Sequence, residues 1–176
     1  MTDHDSLPNK TTRDQFLHAF FALLENKEYD EIKIVDICNK AHLSRKTFYT
    51  YFSNKEDLLD YLAQIISLCY SETDDKSGHY HYFNFFYHMQ NALALLIKNN
   101  LWYEMASRVK RKYMDLLYPH DWTEILGEQV DNKDLFLEFM SYGSARLVEL
   151  WCLSGFQKTP EELSALVEKI QRNKFF

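Results

Sequence analysis

Apolar residues recur at helical spacing along nearly the whole chain, and no stretch alternates with the period of a strand. After Met1–Lys10, which lacks periodicity and is expected to fray, Thr12 with Gln15 three residues on reads as a capping box. Phe16, Leu17, Phe20, Leu23 and Leu24 then form one helix face. A second helix is predicted over Lys33–Ala41, with Ile34, Ile37 and Ala41 on one side, and Ser44 N-caps a short third helix through Tyr51. Asn54 with Asp57 caps a fourth, which carries Leu58, Leu59, Leu62, Ile65, Ile66 and Cys69 inward before the polar stretch Ser71–Gly78. Tyr82–Lys98 is apolar almost all round and predicts a single buried, central helix. Leu101–Tyr118 repeats Met105, Val109, Tyr113 and Leu116 and stops at Pro119, and Asp121–Gly127 reads as irregular. Asp131 or Asn132 opens a long helix through Ser154 with Gly155 as its stop. Thr159-Pro160-Glu161-Glu162 starts the last helix, striped by Leu163, Leu166, Val167 and Ile170.

Composition supports helices over a turn-rich β fold. The 176 residues include only four Gly and three Pro, where average usage would give about a dozen and about nine. Three cysteines, far apart and odd in number, fit neither a disulfide framework nor a CxxC metal site, so a reducing cytoplasm is the expected location. The longest clean apolar run, Ala92–Ile97, is far below the ~18 residues of a membrane span, and no signal-like segment opens the chain; export and insertion are not expected. A formal net charge of −6 excludes a protein that coats nucleic acid indiscriminately. It leaves room for a local basic patch.

That patch lies in Lys33–Lys55. Two short helices joined by a tight turn, with Ile37, Leu43, Phe48 and Tyr51 placed to pack between them, have helix-turn-helix spacing. Any small helical hairpin would share the spacing, but Lys33, Lys40, Arg45, Lys46 and Lys55 against only Glu31 and Asp36 would not be needed for one. Arg45, Lys46, Thr47 and Thr50 project from the start and exposed side of the third helix, where side chains reach major-groove edges. The other reading is a helical protein-interaction module that has lost DNA binding and acts through a partner protein. Catalysis finds no support: there is no GxSxG, no Gly-rich phosphate loop and no HExxH, and no cofactor is implied.

The run TRDQFLHAFFALLENKEYDEIKIVDICNKAHLSRKTFYTYFSNKEDLL, Thr12–Leu59, resembles the N-terminal domain of the TetR family of bacterial transcriptional regulators, with LSRKTFYTYFSNKEDLL as its core signature. The resemblance implies phosphate contacts from Tyr49 and Lys55, groove positions for Lys46 and Thr47, and an approach of Lys33 to the backbone. With Ser44, Arg45 and Thr50 these make the candidate DNA-binding set. Three departures stand out: His42 where the family has Gly in the turn, Lys33 for Thr, and Cys38 for Ala, the last read as a packing residue rather than a redox sensor.

The segment FLEFMSYGSARLVELWCLSGFQKTPEELSALVEKI is similar to the end of one TetR subgroup's regulatory domain. In the family the last two helices pair with their twofold mates, which implies an interface of Gly143, Leu147, Leu150, Trp151, Leu163, Leu166, Val167 and Ile170. Gly143, with Ser141 and Ser144 beside it, would let backbones approach, either between subunits or within one. The aromatic run Tyr80–Tyr87 is mostly core, and part of it could line a cavity. A small-molecule pocket is expected between the fourth helix and the helices carrying Phe86, Gln90, Trp102, Met105 and Tyr113, with Gln90 and Tyr113 as polar handles. His79, His81 and His88 lack a nearby acid or Cys, and solvated side chains are the expectation, with no metal.

The expected protein is therefore all-α. A three-helix helix-turn-helix domain (residues 11–54) is joined by a long fourth helix (55–70) to a helical dimerisation and ligand-sensing bundle (71–176). The expected function is a repressor that binds double-stranded DNA at a palindromic operator as a homodimer and is released by a small molecule.

Overall fold

The structure, a computed structural model, describes residues 11–71, 78–117 and 133–172, and all regular structure among them is helical. The elements are α1 (Thr12–Leu24), a 3-10 turn (Tyr29–Glu31), α2 (Ile34–Ala41), α3 (Arg45–Tyr51), α4 (Glu56–Ser71), α5 (Gly78–His88), α6 (Gln90–Lys98), α7 (Trp102–Leu117), α8 (Lys133–Leu153) and α9 (Pro160–Arg172). They form two compact units. One holds the chain up to Leu62 together with His88–Trp102, and the other holds Ala63–Tyr87 and Tyr103 onward. The expected stop at Pro119, the irregular Asp121–Gly127 and the caps Asp131 and Asn132 lie outside the described residues.

The expected start of α1 is one residue late. Thr11, not Thr12, is the N-cap: its Oγ1 accepts the Asp14 N–H at 3.2 Å and its own N–H donates to Asp14 Oδ2 at 2.9 Å. An aspartate closes the box better than Gln15 because an ionised carboxylate is the stronger acceptor. Asp14 also accepts the Tyr61 hydroxyl at 2.6 Å and is almost fully buried. This ties the first turn of α1 to α4.

α1 buries Phe16, Leu17, Phe20, Phe21 and Leu24. Below it the Phe16, Phe48 and Phe52 rings meet at centroid distances of 5.2, 6.1 and 5.4 Å. Here the structure corrects the expected packing of Tyr51, which is exposed while Phe52 is buried. Phe52 leaves the helix as its C-cap in an extended conformation (φ −137°, ψ 134°) with its ring against Phe48, while Tyr51 stays outside.

The predicted helix Tyr82–Lys98 is two helices. Met89 leaves helical geometry (φ −97°, ψ 21°) between α5 and α6, and the boundary between the two units falls beside it. An all-round apolar pattern conceals such a break, because each half has an inward face whichever neighbours it serves. α6 packs against α1 and buries Ala92, Leu93 and Leu96.

Three helices end alike. After α2, α6 and α8 a residue in the left-handed region, His42 (φ 56°), Asn100 (φ 57°) or Gly155 (φ 74°), is followed by an N–H that bonds five residues back. These are Leu43 to Cys38 at 3.0 Å, Leu101 to Leu96 at 2.8 Å and Phe156 to Trp151 at 3.0 Å, the pattern of the Schellman stop. The turn with His42 therefore keeps the geometry that Gly would have. For an L residue this conformation costs about 1–2 kcal/mol, while Gly gives back about 0.4–1 kcal/mol through a looser unfolded chain. His42→Gly is expected to raise stability by about 1 kcal/mol at most, read as a small rise in Tm; a lower Tm would count against strain at His42.

In the second unit Trp151 lies among Phe83, Tyr87 and Phe156, at ring distances of 5.8, 6.1 and 4.8 Å, and its indole N–H donates to the Lys158 carbonyl at 2.9 Å. α9 opens with the expected box, Thr159 N–H to Glu162 at 2.8 Å and Glu162 N–H to Thr159 Oγ1 at 3.3 Å. No helix among the described residues is long and apolar enough to cross a membrane.

Candidate nucleic-acid interface

The N-terminus of α3 is built to present side chains. Ser44 Oγ accepts the Thr47 N–H at 3.0 Å and lies 2.8 Å from Thr47 Oγ1, so Ser44 and Thr47 cap the helix with the same atoms that stand at its surface. Phe48, fully buried, anchors the inner side. Arg45, Lys46, Tyr49 and Thr50 are left exposed on the outer side, with Thr47 half-buried. Arg45 leans over the Tyr49 ring at 6.0 Å, and Thr50 turns its hydroxyl back to the Lys46 carbonyl at 3.1 Å. Six of the eight predicted DNA-binding residues thus occupy one seven-residue segment of a single helix start.

Lys33 stands at the N-cap of α2, exposed, with its N–H donating to Asp36 Oδ2 at 3.1 Å. That backbone bond and the Lys27 ammonium, 3.1 Å from the same carboxylate oxygen, hold the Asp36 carboxyl below the usual carboxylate range. Asp36 in the basic window therefore stays ionised, with its charge paired to Lys27. It does not oppose an approaching phosphate as a bare charge would.

Lys55 is placed differently from the rest. Its ammonium donates to the carbonyls of Tyr29 at 2.6 Å and Ile32 at 3.0 Å and sits 3.8 Å from the centre of the Tyr29 ring. Burial lowers its pKa, against the opposing pull of Glu56 and Asp30. Since an ammonium has three donors, at most one remains for a phosphate oxygen. Sequence reading missed this second role.

The second unit exposes a different surface. Leu135, Phe139, Tyr142, Arg146, Leu150 and Leu153 follow one another on a single face of α8, with Leu135 71% and Phe139 59% exposed. Gly143 borders that face, and a Cβ built on it meets nothing within 4 Å. Among the residues predicted for a dimer interface, Leu150 and Leu166 are exposed, Leu147 and Val167 half-buried, and Trp151 and Leu163 turned into the subunit core. The Ile170 side chain lies outside the described residues. Tyr142 stacks on Tyr103, whose hydroxyl donates to Glu149, itself paired with Arg146 at 2.8 Å. Of the predicted ligand residues, Phe86 and Met105 are fully buried in this unit. Trp102, buried, and Gln90, half-buried, belong to the other unit, and the Tyr113 side chain lies outside the described residues.

A three-helix head with a capped, basic recognition helix, carried on a larger helical region, defines a DNA-binding transcriptional regulator of the helix-turn-helix class. Residues 16–62 match the family of bacterial regulatory proteins named tetR, and residues 75–173 match a transcriptional regulator C-terminal region. The chain belongs to the TetR family. Among curated relatives, the dhaKLM operon transcriptional activator DhaS of Lactococcus lactis subsp. lactis (strain IL1403) is 26% identical over 125 residues, 66% of this chain and 59% of that protein. The uncharacterized HTH-type transcriptional regulator YxbF of Bacillus subtilis (strain 168) is 41% identical over 54 residues, 30% of this chain and 14% of that one. The chain thus spans about three fifths of the first relative's length and a small part of the second's. A solved structure of the dihydroxyacetone kinase operon activator DhaS shares the fold, with a TM-score of 0.55 at 18% identity over 90% of this chain and 93% of that one.

Proposed function

We propose that the protein binds a palindromic operator as a homodimer, represses by occluding a promoter, and is released by a small apolar ligand. The carrying observation is the start of α3, where Ser44 and Thr47 cap the helix and Arg45, Lys46, Tyr49 and Thr50 stand exposed above buried Phe48. One such helix reads only a few base pairs, so specificity calls for a second head about 34–36 Å away, or a multiple, along the duplex. The apolar stripe on α8 supports a second copy as the source of that head, because exposed apolar surface of this kind marks an interaction site.

In this reading Arg45, Lys46 and Thr47 meet base edges, whereas Lys33, Tyr49 and the remaining donor of Lys55 meet phosphates. Selection of bound duplexes from a random pool, followed by gel shift at fixed salt, tests it. Arg45→Ala is expected to cost about 1–3 kcal/mol on the selected operator and to relax one position. Lys33→Ala should weaken all duplexes alike and flatten the salt dependence. A chain that enriches no common sequence favours the partner-binding module instead.

Phe86 and Met105, fully buried in the second unit, supply apolar side chains of the kind a ligand site uses. Release by a ligand requires differential affinity for two head spacings, and a ~100-fold change in DNA binding corresponds to about 2.7 kcal/mol. A thermal-shift screen followed by operator release decides between this and a solid core. Activation is the second reading, favoured by the name of the relative DhaS. Transcription in vitro from a promoter bearing the selected operator distinguishes the two by sign.

A further inference from the structure

Tyr29 opens the 3-10 turn between α1 and α2, and its N–H is held by the Oδ1 of Asn99, seventy residues further along the chain, at 3.2 Å. Asn99 directly follows α6 and is only 8% exposed. Its amide nitrogen donates to the Leu95 carbonyl at 3.0 Å, so the side chain spans from the last turn of α6 to the turn that precedes α2. The other side of that turn is occupied by Lys55, whose ammonium takes the carbonyls of Tyr29 and Ile32. Ile32 is buried, and the next residue, Lys33, is the N-cap of α2.

We propose that Asn99 is a positioning residue for DNA reading: from the end of α6 it fixes the turn 29–32, and with it the start of α2 and the seat of α3. Three observations converge on this. The bond joins a buried side chain to a backbone N–H that no helix or strand satisfies, and such donors are expensive to leave unpaired. α6 already packs on α1, with Ala92, Leu93 and Leu96 buried. The segment His88–Trp102 clusters with the helix-turn-helix residues rather than with the rest of the C-terminal region. A helix distant in sequence is in this way part of the reading unit, and the turn before α2 is pinned by Lys55, just before α4, and by Asn99, just after α6. The inference rests on the DNA-binding reading above.

Two substitutions in the full chain separate positioning from simple capping of α6. Asn99→Asp keeps the acceptor for the Tyr29 N–H and loses the donor to Leu95. Asn99→Ser keeps a donor within reach of Leu95 and is too short to reach Tyr29. The readouts are affinity for the selected operator by fluorescence anisotropy and hydrogen exchange of the Tyr29 amide by NMR. Asn99→Asp is expected to bind within about threefold of the parent with Tyr29 still protected. Asn99→Ser is expected to bind about tenfold or more weakly with Tyr29 exposed to exchange, as a lost partner at a buried donor requires. Equal affinity of Asn99→Ser and the parent overturns the proposal, and so does a loss in Asn99→Asp as large as in Asn99→Ser, which would mark capping alone. Fast exchange of the Tyr29 amide in the parent overturns it without any variant. A parent that binds no duplex specifically, with Tyr29 protected, instead overturns the DNA reading and removes the affinity role of Asn99, leaving only the link itself.

Discussion

Replacing Phe48 with alanine is expected to cost about 3–5 kcal/mol, the range for truncating a fully buried phenylalanine. The Phe48 ring has no exposed surface and packs edge-on against Phe16 at 5.2 Å and obliquely against Phe52 at 5.4 Å. A cavity at this point removes contacts from α1, from α3 and from Phe52, the C-cap of α3. Against a total stability of about 5–15 kcal/mol for a domain, the loss is enough to leave much of the head unfolded near physiological temperature. Specific DNA binding should disappear with it. Tyr51→Ala, three residues on, is the control: the ring is 42% exposed, and surface changes of this kind fall within about 0.5 kcal/mol. Chemical denaturation of the two variants checks the pair. Equal losses would mean that Tyr51 shares the core, as its spacing in the sequence suggests.

Gly143→Leu is expected to convert the proposed dimer into monomers without harming the subunit. Within one chain the new side chain has space, since a Cβ at Gly143 meets nothing within 4 Å. Leucine also raises helix propensity over glycine by somewhat under 1 kcal/mol, so the separated subunit should be slightly more stable. Between two copies packed through the outer face of α8 the same side chain is placed twice where backbones approach. Overpacking costs about 1–3 kcal/mol per site, hence about 2–6 kcal/mol per dimer, or roughly 30-fold to 20,000-fold in dissociation constant. Phe139→Asp, on a ring 59% exposed, should act in the same direction by placing a charge on the apolar stripe. Light scattering across a dilution series reads both. Dimers that persist in both variants place the interface on another surface.

Much of the head is legible in the sequence because the signals are short-range. Ser44 as the cap of α3, the Asn54 and Asp57 pair before α4, Gly155 as the stop of α8 and the Thr159 box before α9 all involve hydrogen bonds that reach at most five residues. The chain carries both partners of each bond next to one another. The exposed basic start of α3 follows from the same locality, since a cap, a buried Phe48 and the helix period leave Arg45, Lys46, Tyr49 and Thr50 only the outside. Even the one-residue error at Thr11 is small for this reason.

What depends on distant partners is not legible there. No Gly or Pro stands beside Met89, so nothing local marks the break between α5 and α6. Trp151 and Phe139 are alike as large aromatics on α8, yet the rings of Phe83 and Phe156 draw one inward while the other stays exposed. Lys55 carries the same charge as Lys46, but the carbonyls of Tyr29 and Ile32, 26 and 23 residues away, take up its ammonium. Asn99 has the pattern of an ordinary helix end, and only folding brings its Oδ1 onto the Tyr29 N–H. The amino-acid sequence by itself determined where the helices of the reading head begin and end and which family the chain belongs to. The tertiary structure alone decided which aromatic side chains are core, where the helices regroup into units and which charged and amide groups are spent inside. The reason is that burial and long-range hydrogen bonding are properties of pairs the chain brings together only on folding, whereas capping and helix period are properties of neighbours.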